Sequence, residues 1–199
     1  MANGVSAFKK ACMNVLTKKL DTKQQIKWIV SLLAVLTAIE IINFFTGRML
    51  TQLGNIPRYV PGLKGILLGP FIHGSLQHFF SNLVPLAIFT YLMLQYGLRR
   101  YLLVSLWIII LSGILVWLFG RSASHVGASG VIYGYFGYLV LAGFLNKSIK
   151  LLLISFLVAF FYGGLIFGIM PSGPFVSWES HLFGFIAGLI AARLWAKPN

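Results

Sequence analysis

The chain has 199 residues, of which 58% are hydrophobic and only 10% are charged, and its mean hydropathy is +0.87. This apolar share is far above that of soluble globular domains, so the composition excludes a soluble enzyme and predicts an all-α protein that crosses a membrane several times. The formal net charge of +13 does not indicate nucleic-acid binding, because the basic residues fall at the ends of the apolar segments, where membrane topology places them.

Residues 1–27 form a predicted basic cytoplasmic tail with six lysines and one acid, Asp21. A cleaved signal peptide is not expected, because the first apolar segment begins late and lacks a small-residue cleavage site. Cys12 is the single cysteine, so it has no partner for an internal disulfide. Residues 28–199 are predicted to form one membrane domain.

Six apolar segments of this domain are long enough to cross the hydrocarbon core. Their predicted ranges are 28–45, 75–96, 101–119, 129–145, 149–170 and 180–195. The longest connection, residues 47–72, mixes apolar and polar side chains and predicts a loop partly embedded at the outer surface. Such a loop must satisfy its backbone hydrogen bonds internally.

The basic residues predict the orientation of the spans. With the N-terminus in the cytoplasm, twelve fall on the inner side and only four on the outer side, namely Arg48, Arg58, Lys64 and Arg121. This asymmetry agrees with the positive-inside rule and places both termini in the cytoplasm. The fourth and sixth spans then begin on the outer side.

Glu40 lies inside the first predicted span. An acid at that depth is costly and usually faces the interior of the helix bundle. We expect it to have a structural role rather than to relay protons.

A glycine-rich segment, 125–134 (HVGASGVIYG), opens the fourth span and places the Ser129 hydroxyl at a helix N-terminus. A serine hydroxyl becomes a nucleophile when a base removes its proton, and histidine is the usual base. His181 opens the sixth span at the same level. Small residues recur on both helices and predict close packing of the two spans: Gly130, Gly134 and Gly137 on the fourth, Gly184 and Gly188 on the sixth.

The acids do not complete a triad. The chain has only Asp21, Glu40 and Glu179, and the last lies two residues from His181, on a different helix face. The sequence therefore predicts a Ser129–His181 dyad whose imidazole is oriented by packing. Tyr133, one helical turn after Ser129, is the candidate for that packing.

His78 and Asn82 are four residues apart in the second span and share one helix face. Together with the backbone N–H of Ser129 they can donate hydrogen bonds to an oxyanion. His125 is interpreted as a buried histidine with satisfied hydrogen bonds. No acid or thiol cluster accompanies the histidines, so neither a metal nor a cofactor is expected.

Three stretches in this order, 73–82 (HGSLQHFFSN), 127–134 (GASGVIYG) and 180–188 (SHLFGFIAG), resemble the rhomboid family of intramembrane serine proteases. The resemblance covers the chain from about residue 46 to its end, and the six-span layout is similar to the family's minimal form. It implies the following roles: Ser129 as nucleophile, His181 as general base, His78, Asn82 and the Ser129 amide as oxyanion hole, His73 as a supporting polar residue, Gly127 as the turn former and Tyr133 as the ring stacked on His181.

One position departs from that pattern. Family members often carry a Trp-Arg pair about eight residues before the first histidine, where this chain has Lys64 and Gly65. We therefore expect the first outer loop to be anchored differently.

The resemblance also implies a substrate. This would be a transmembrane helix of another membrane protein, cut near its outer end after sideways entry past the fifth span. The expected setting is the lipid of a bacterial inner membrane, and the sequence leaves the oligomeric state open. Two alternatives stay open: a non-catalytic rhomboid-like protein that binds membrane clients, although such relatives have usually lost the serine or the histidine, and a small transporter, although no internal repeat supports it.

Overall fold

The computed structural model describes residues 20–171, 173 and 176–197. Over these residues the chain is helical and contains no β-strand, which confirms the all-α prediction. Six long helices account for most of it: α1 (Thr22–Phe45), α2 (Leu76–Leu94), α3 (Leu98–Phe119), α4 (Ser129–Asn146), α5 (Ile149–Tyr162) and α6 (Trp178–Trp195).

The N-terminal helix starts earlier than predicted. Most of the basic tail, with Cys12, lies outside the described residues. α1 begins at Thr22 because Asp21 caps it: the Asp21 carboxylate accepts from the Gln24 N–H at 2.8 Å, and the Gln24 side chain returns to the Asp21 N–H. This reciprocal pair satisfies two N–H groups that a helix start otherwise leaves unpaired.

Four stretches are long and apolar enough to cross a membrane: Thr22–Phe45, Leu98–Phe119, Ser129–Asn146 and Ile149–Ile169. The helices α2 and α6 occupy the other two predicted spans but fall outside this set. α2 contains His78 and Asn82, and α6 contains Glu179 and His181. The polar residues that suggest a functional site are thus the ones that lower the apolar character of these two helices.

The fifth predicted span is not one continuous α-helix. α5 ends at Tyr162, and a 3₁₀ segment, Gly163–Ile169, continues the chain. Gly163 and Gly164 are adjacent, and glycine is the weakest α-helix former after proline. The tighter winding changes where the backbone carbonyls of this segment point.

The centre of the bundle is α4, of which 67% is buried, compared with 17% of α1. It forms its most extensive contact with α6. A Cβ at Gly184 would overlap the carbonyl oxygen of Gly130, and a Cβ at Gly188 would overlap that of Gly134. The predicted close packing of these spans is confirmed, and it holds the starts of both helices at one level.

The first outer loop is anchored by backbone and amide groups. The Asn55 side chain donates to the Gly113 carbonyl at 2.8 Å, and Asn55 and His125 exchange backbone hydrogen bonds of 3.0 and 2.9 Å. Gly65 lies where the family pattern has its Trp-Arg pair, and a Cβ there would overlap the Gly54 backbone. Close approach of two backbone segments therefore supplies the anchoring.

Glu40 is only 2% exposed and forms an ion pair with Arg48 at the start of this loop. The Arg48 guanidinium also donates to the His73 carbonyl at 3.3 Å and lies 5.7 Å from the centre of the Phe44 ring. These contacts tie α1 to the loop, which is the structural role expected for Glu40.

Candidate functional site

A cavity of about 480 Å³ opens at the end of the bundle where α4 and α6 begin. It brings together side chains from α2, α4, α6 and the loop before α4. Five of the residues assigned to the predicted site line it: His78, Asn82, Ser129, Tyr133 and His181. His73 and Gly127 do not line this cavity but contact residues that do.

Ser129 is the first residue of α4 and is 9% exposed. As a helix-start residue its backbone N–H has no partner within the helix. Among the described residues, no hydrogen-bond partner engages its hydroxyl, and none joins it to His181. The cavity is thus the route by which another molecule can reach this hydroxyl.

Two contacts fix the orientation of the His181 ring. Its ring stacks on Tyr133 with centroids 4.1 Å apart and planes 4° apart. Its Nδ1 lies 2.9 Å from the Gly168 carbonyl oxygen. Because a carbonyl can only accept, Nδ1 carries the proton and Nε2 keeps its lone pair. This is the tautomer that a general base requires.

Two of the predicted oxyanion donors, His78 and Asn82, lie on α2 and line the same cavity. One Asn82 amide hydrogen is donated to the His78 carbonyl at 2.7 Å, and no partner among the described residues takes the other. The His78 ring lies against Gly127, where a Cβ would be 2.6 Å from Nε2. Gly127 also has φ of +114°, a conformation that favours glycine. Glycine at this position therefore lets the imidazole approach the segment before Ser129.

His73 is 1% exposed and contacts two residues of the site, His78 and Ala128. Its ring contacts that of His78 edge to face, with centroids 5.2 Å apart. Its Nε2 accepts from the Ala128 N–H at 3.4 Å. Burial, with smaller contributions from His78 and Arg48, lowers the pKa of His73 from its usual 6.5 to about 3. His73 is therefore a neutral acceptor at physiological pH.

This pKa predicts a pH-dependent stability. Above pH 6.5 His73 is neutral in both the folded and the unfolded chain, so the free energy of unfolding does not depend on its titration. As the pH falls from 6.5 toward 3, the unfolded chain binds a proton at His73 that the folded chain does not, so the free energy of unfolding decreases. Between these values the loss approaches about 1.4 kcal/mol per pH unit. Unfolding free energies at pH 7 and pH 5 should differ less for His73→Gln than for the wild type. Equal differences would contradict this assignment.

His125 is buried and has both ring nitrogens engaged, as expected. Its Nε2 donates to the Arg121 carbonyl at 3.0 Å, so Nδ1 accepts from the Ser177 hydroxyl. Burial lowers the pKa of His125. Glu179 turns away from His181 and pairs with Arg121 at 3.4 Å. These contacts join the loop before α4 to the start of α6, and Ser177 gives no signal of this role in the sequence.

The Gly168 carbonyl is the group that sequence reasoning missed. The structure supplies an orienting partner for His181, but it is a backbone atom rather than an acid. Every residue type has such a carbonyl, so no residue pattern reveals it. The adjacent glycines of the 3₁₀ segment are the one sequence signal that the backbone changes course there.

A family model described as Rhomboid domain matches residues 61–198. The chain belongs to the rhomboid family. Members of this family are typically intramembrane serine proteases, and this rhomboid is an integral membrane protein. The match confirms the family identified by resemblance from the three motif stretches.

Similar proteins occur in mycobacteria. Uncharacterised proteins of Mycobacterium bovis and Mycobacterium tuberculosis are each 32% identical over 198 residues, which cover 92% of this rhomboid and 82% of theirs. One from Mycobacterium leprae is 32% identical over 196 residues, covering 90% and 77%. The similarity thus extends over nearly the whole chain rather than over the motif stretches alone.

Proposed function

We propose that this rhomboid is an intramembrane serine endopeptidase with Ser129 as nucleophile and His181 as general base. The observation that carries the proposal is the state of His181. The Nδ1 of His181 donates to the Gly168 carbonyl, so its Nε2 is an acceptor. His181 also lines the same cavity as Ser129, whose hydroxyl has no hydrogen-bond partner among the described residues.

The proposed reaction follows from these groups. Nε2 of His181 takes the hydroxyl proton of Ser129 as Oγ attacks the substrate carbonyl carbon. The imidazolium then gives that proton to the leaving amine, which releases one product and leaves an acyl-enzyme on Ser129. Water, activated by the same imidazole, hydrolyses the ester and restores the serine.

The oxyanion formed in each step needs donors that are already in place. Three are available at the cavity: the Ser129 N–H, the free amide hydrogen of Asn82 and the imidazole of His78. Fixed donors near a helix N-terminus also favour negative charge through the helix dipole. We assign the oxyanion hole to these groups, with His73 and Gly127 as their support.

The proposed substrate is a transmembrane segment of another membrane protein, in the lipid of a bacterial inner membrane. Its entry past the fifth span is supported by the exposure of that region, where Phe160 is 81% and Phe161 and Phe167 are each 70% exposed. Apolar side chains exposed to this degree suit contact with lipid or with an apolar helix. The proposed topology has six spans and both termini in the cytoplasm, as the distribution of basic residues favours.

The test is a serine-directed fluorophosphonate probe together with a transmembrane peptide substrate, both applied to the purified protein in detergent. We expect stoichiometric labelling, mapped by mass spectrometry to Ser129, and cleavage of the peptide near one end of its apolar stretch. Labelling of a different serine would contradict the assignment. Binding of the peptide without labelling or cleavage would indicate a non-catalytic client-binding protein instead.

Substitution of Asn82 by alanine tests the oxyanion hole separately. Loss of one preorganised donor typically lowers kcat by about 10² to 10³-fold. We expect a decrease of this size with little change in KM, measured with a fluorogenic transmembrane peptide. Ser81→Ala is the matched control, because Ser81 is the neighbouring residue and its hydroxyl donates to the His78 carbonyl. A higher KM at unchanged kcat would place Asn82 in substrate binding.

A further inference from the structure

The Gly168 carbonyl, which orients His181, has no partner within the 3₁₀ segment because the segment ends one residue later. The segment ends at Ile169, and Met170 is already extended, with φ −82° and ψ 151°. The last N–H of the turn, that of Met170, bonds to the Phe167 carbonyl. Carbonyls at a helix C-terminus lack partners within the helix. The Gly168 carbonyl is one of these, and it accepts from His181.

Residue 168 also has no space for a side chain. A Cβ there would overlap the Tyr133 hydroxyl oxygen and would lie 2.9 Å from Tyr133 Cζ. Tyr133 has little freedom to move aside, because it is 6% exposed and its ring stacks on His181. At Gly163 and Gly164, in the same segment, a Cβ would have no atom within 4 Å. The steric demand is therefore specific to position 168.

We propose that Gly168 is a positioning residue of the protease proposed above, on which this inference rests. Its carbonyl selects the Nδ1-protonated tautomer of His181, and its missing side chain lets Tyr133 stack on the same imidazole. The opposite tautomer would present Ser129 with a donor at Nε2 instead of an acceptor. In serine proteases a wrong histidine tautomer reduces kcat by about 10⁴-fold.

The test compares two alanine substitutions in the 3₁₀ segment. Gly168→Ala should lower kcat by at least about tenfold with KM nearly unchanged, because the base loses its fixed tautomer. Gly164→Ala is the matched control and should stay within about twofold of the wild type, since the added methyl group meets no atom. Alanine favours helical backbone over glycine, so a decrease at position 168 alone is not an effect of helix propensity.

A compensating substitution separates positioning from misfolding. Tyr133→Phe removes the hydroxyl that a Cβ at residue 168 would overlap. We expect the decrease in kcat caused by Gly168→Ala to be several-fold smaller in the Tyr133→Phe background than in the wild type. Recovery is expected to be partial, because Cζ remains at 2.9 Å from the new methyl group. Equal or greater losses in the two backgrounds would overturn the steric argument.

The tautomer itself is measured by nitrogen NMR of protein with ¹⁵N-labelled histidine, at a pH where the imidazole is neutral. His181 is identified by the signal that His181→Asn removes. We expect Nδ1 protonated and Nε2 unprotonated in the wild type and in Gly164→Ala, and a mixture in Gly168→Ala. This readout needs no turnover, so it stands even if the protein cleaves no peptide. An unchanged tautomer in Gly168→Ala would overturn the proposal.

Discussion

Replacing Ser129 with alanine should abolish proteolysis, with kcat falling by at least about 10⁴-fold, because the nucleophile and its base act as one unit. For the same reason His181→Ala should cost about as much, and the double variant little more than either. The Ser129 and His181 side chains line one cavity. Among the described serines that line it, Ser129 alone begins a helix and has a hydroxyl without a hydrogen-bond partner. The measurement is single-turnover cleavage of a transmembrane peptide at saturating enzyme.

Ser122→Ala is the control for this prediction. Ser122 lies seven residues before Ser129, is exposed, and only accepts a hydrogen bond from Arg58 at 3.3 Å. It should retain wild-type rates. Turnover that survives in Ser129→Ala, or losses that add in the double variant, would falsify the dyad.

Substitution in the glycine contact between α4 and α6 should have the second largest effect. A Cβ at Gly188 would overlap the Gly134 carbonyl oxygen and lie 2.9 Å from the Tyr138 nitrogen. These are backbone atoms in the most buried helix, so they have no rotamer by which to move away. Overpacking of this kind costs about 1 to 3 kcal/mol or more. We expect Gly188→Ala to lower the free energy of unfolding by about 3 kcal/mol and to reduce activity as the two helices separate.

Unfolding in a denaturing detergent, followed by tryptophan fluorescence, measures this effect. Gly74→Ala is the control: Gly74 lies in the turn before α2, and a Cβ there has nothing within 4 Å. It should change the free energy of unfolding by less than about 0.5 kcal/mol. Equal stability of the two variants would show that α4 and α6 can move apart without cost.

The close packing of α4 and α6 could be predicted because glycines at intervals of three and four residues fall on one side of a helix. The positions of Ser129 and His181 follow from that contact and from their places at the two helix starts. By contrast, the anchoring of the outer loop depends on backbone hydrogen bonds of Asn55 and on the close approach at Gly65. Backbone groups are the same for every residue type, so the sequence could only indicate that the loop must satisfy them somewhere.

The helix ends were harder to predict than the helices. α1 starts at the Asp21–Gln24 capping pair rather than at the first apolar residue. α5 gives way to a 3₁₀ segment where Gly163 and Gly164 weaken the α-helix. Apolar composition indicates which part of a chain suits lipid, but it does not predict where local hydrogen bonds begin and end a helix.

The hydrogen bond between His181 and the Gly168 carbonyl has a consequence for the proposed catalysis in a bilayer. A buried carboxylate in this position would have to be transferred from water into a medium of low dielectric constant, at a cost of several kcal/mol. An amide carbonyl is uncharged, so it fixes the imidazole with no such penalty and adds no negative charge beside the proposed oxyanion hole. Alanine substitution leaves the backbone oxygen of a residue in place. A systematic alanine scan would therefore not detect most backbone carbonyls that act in this way.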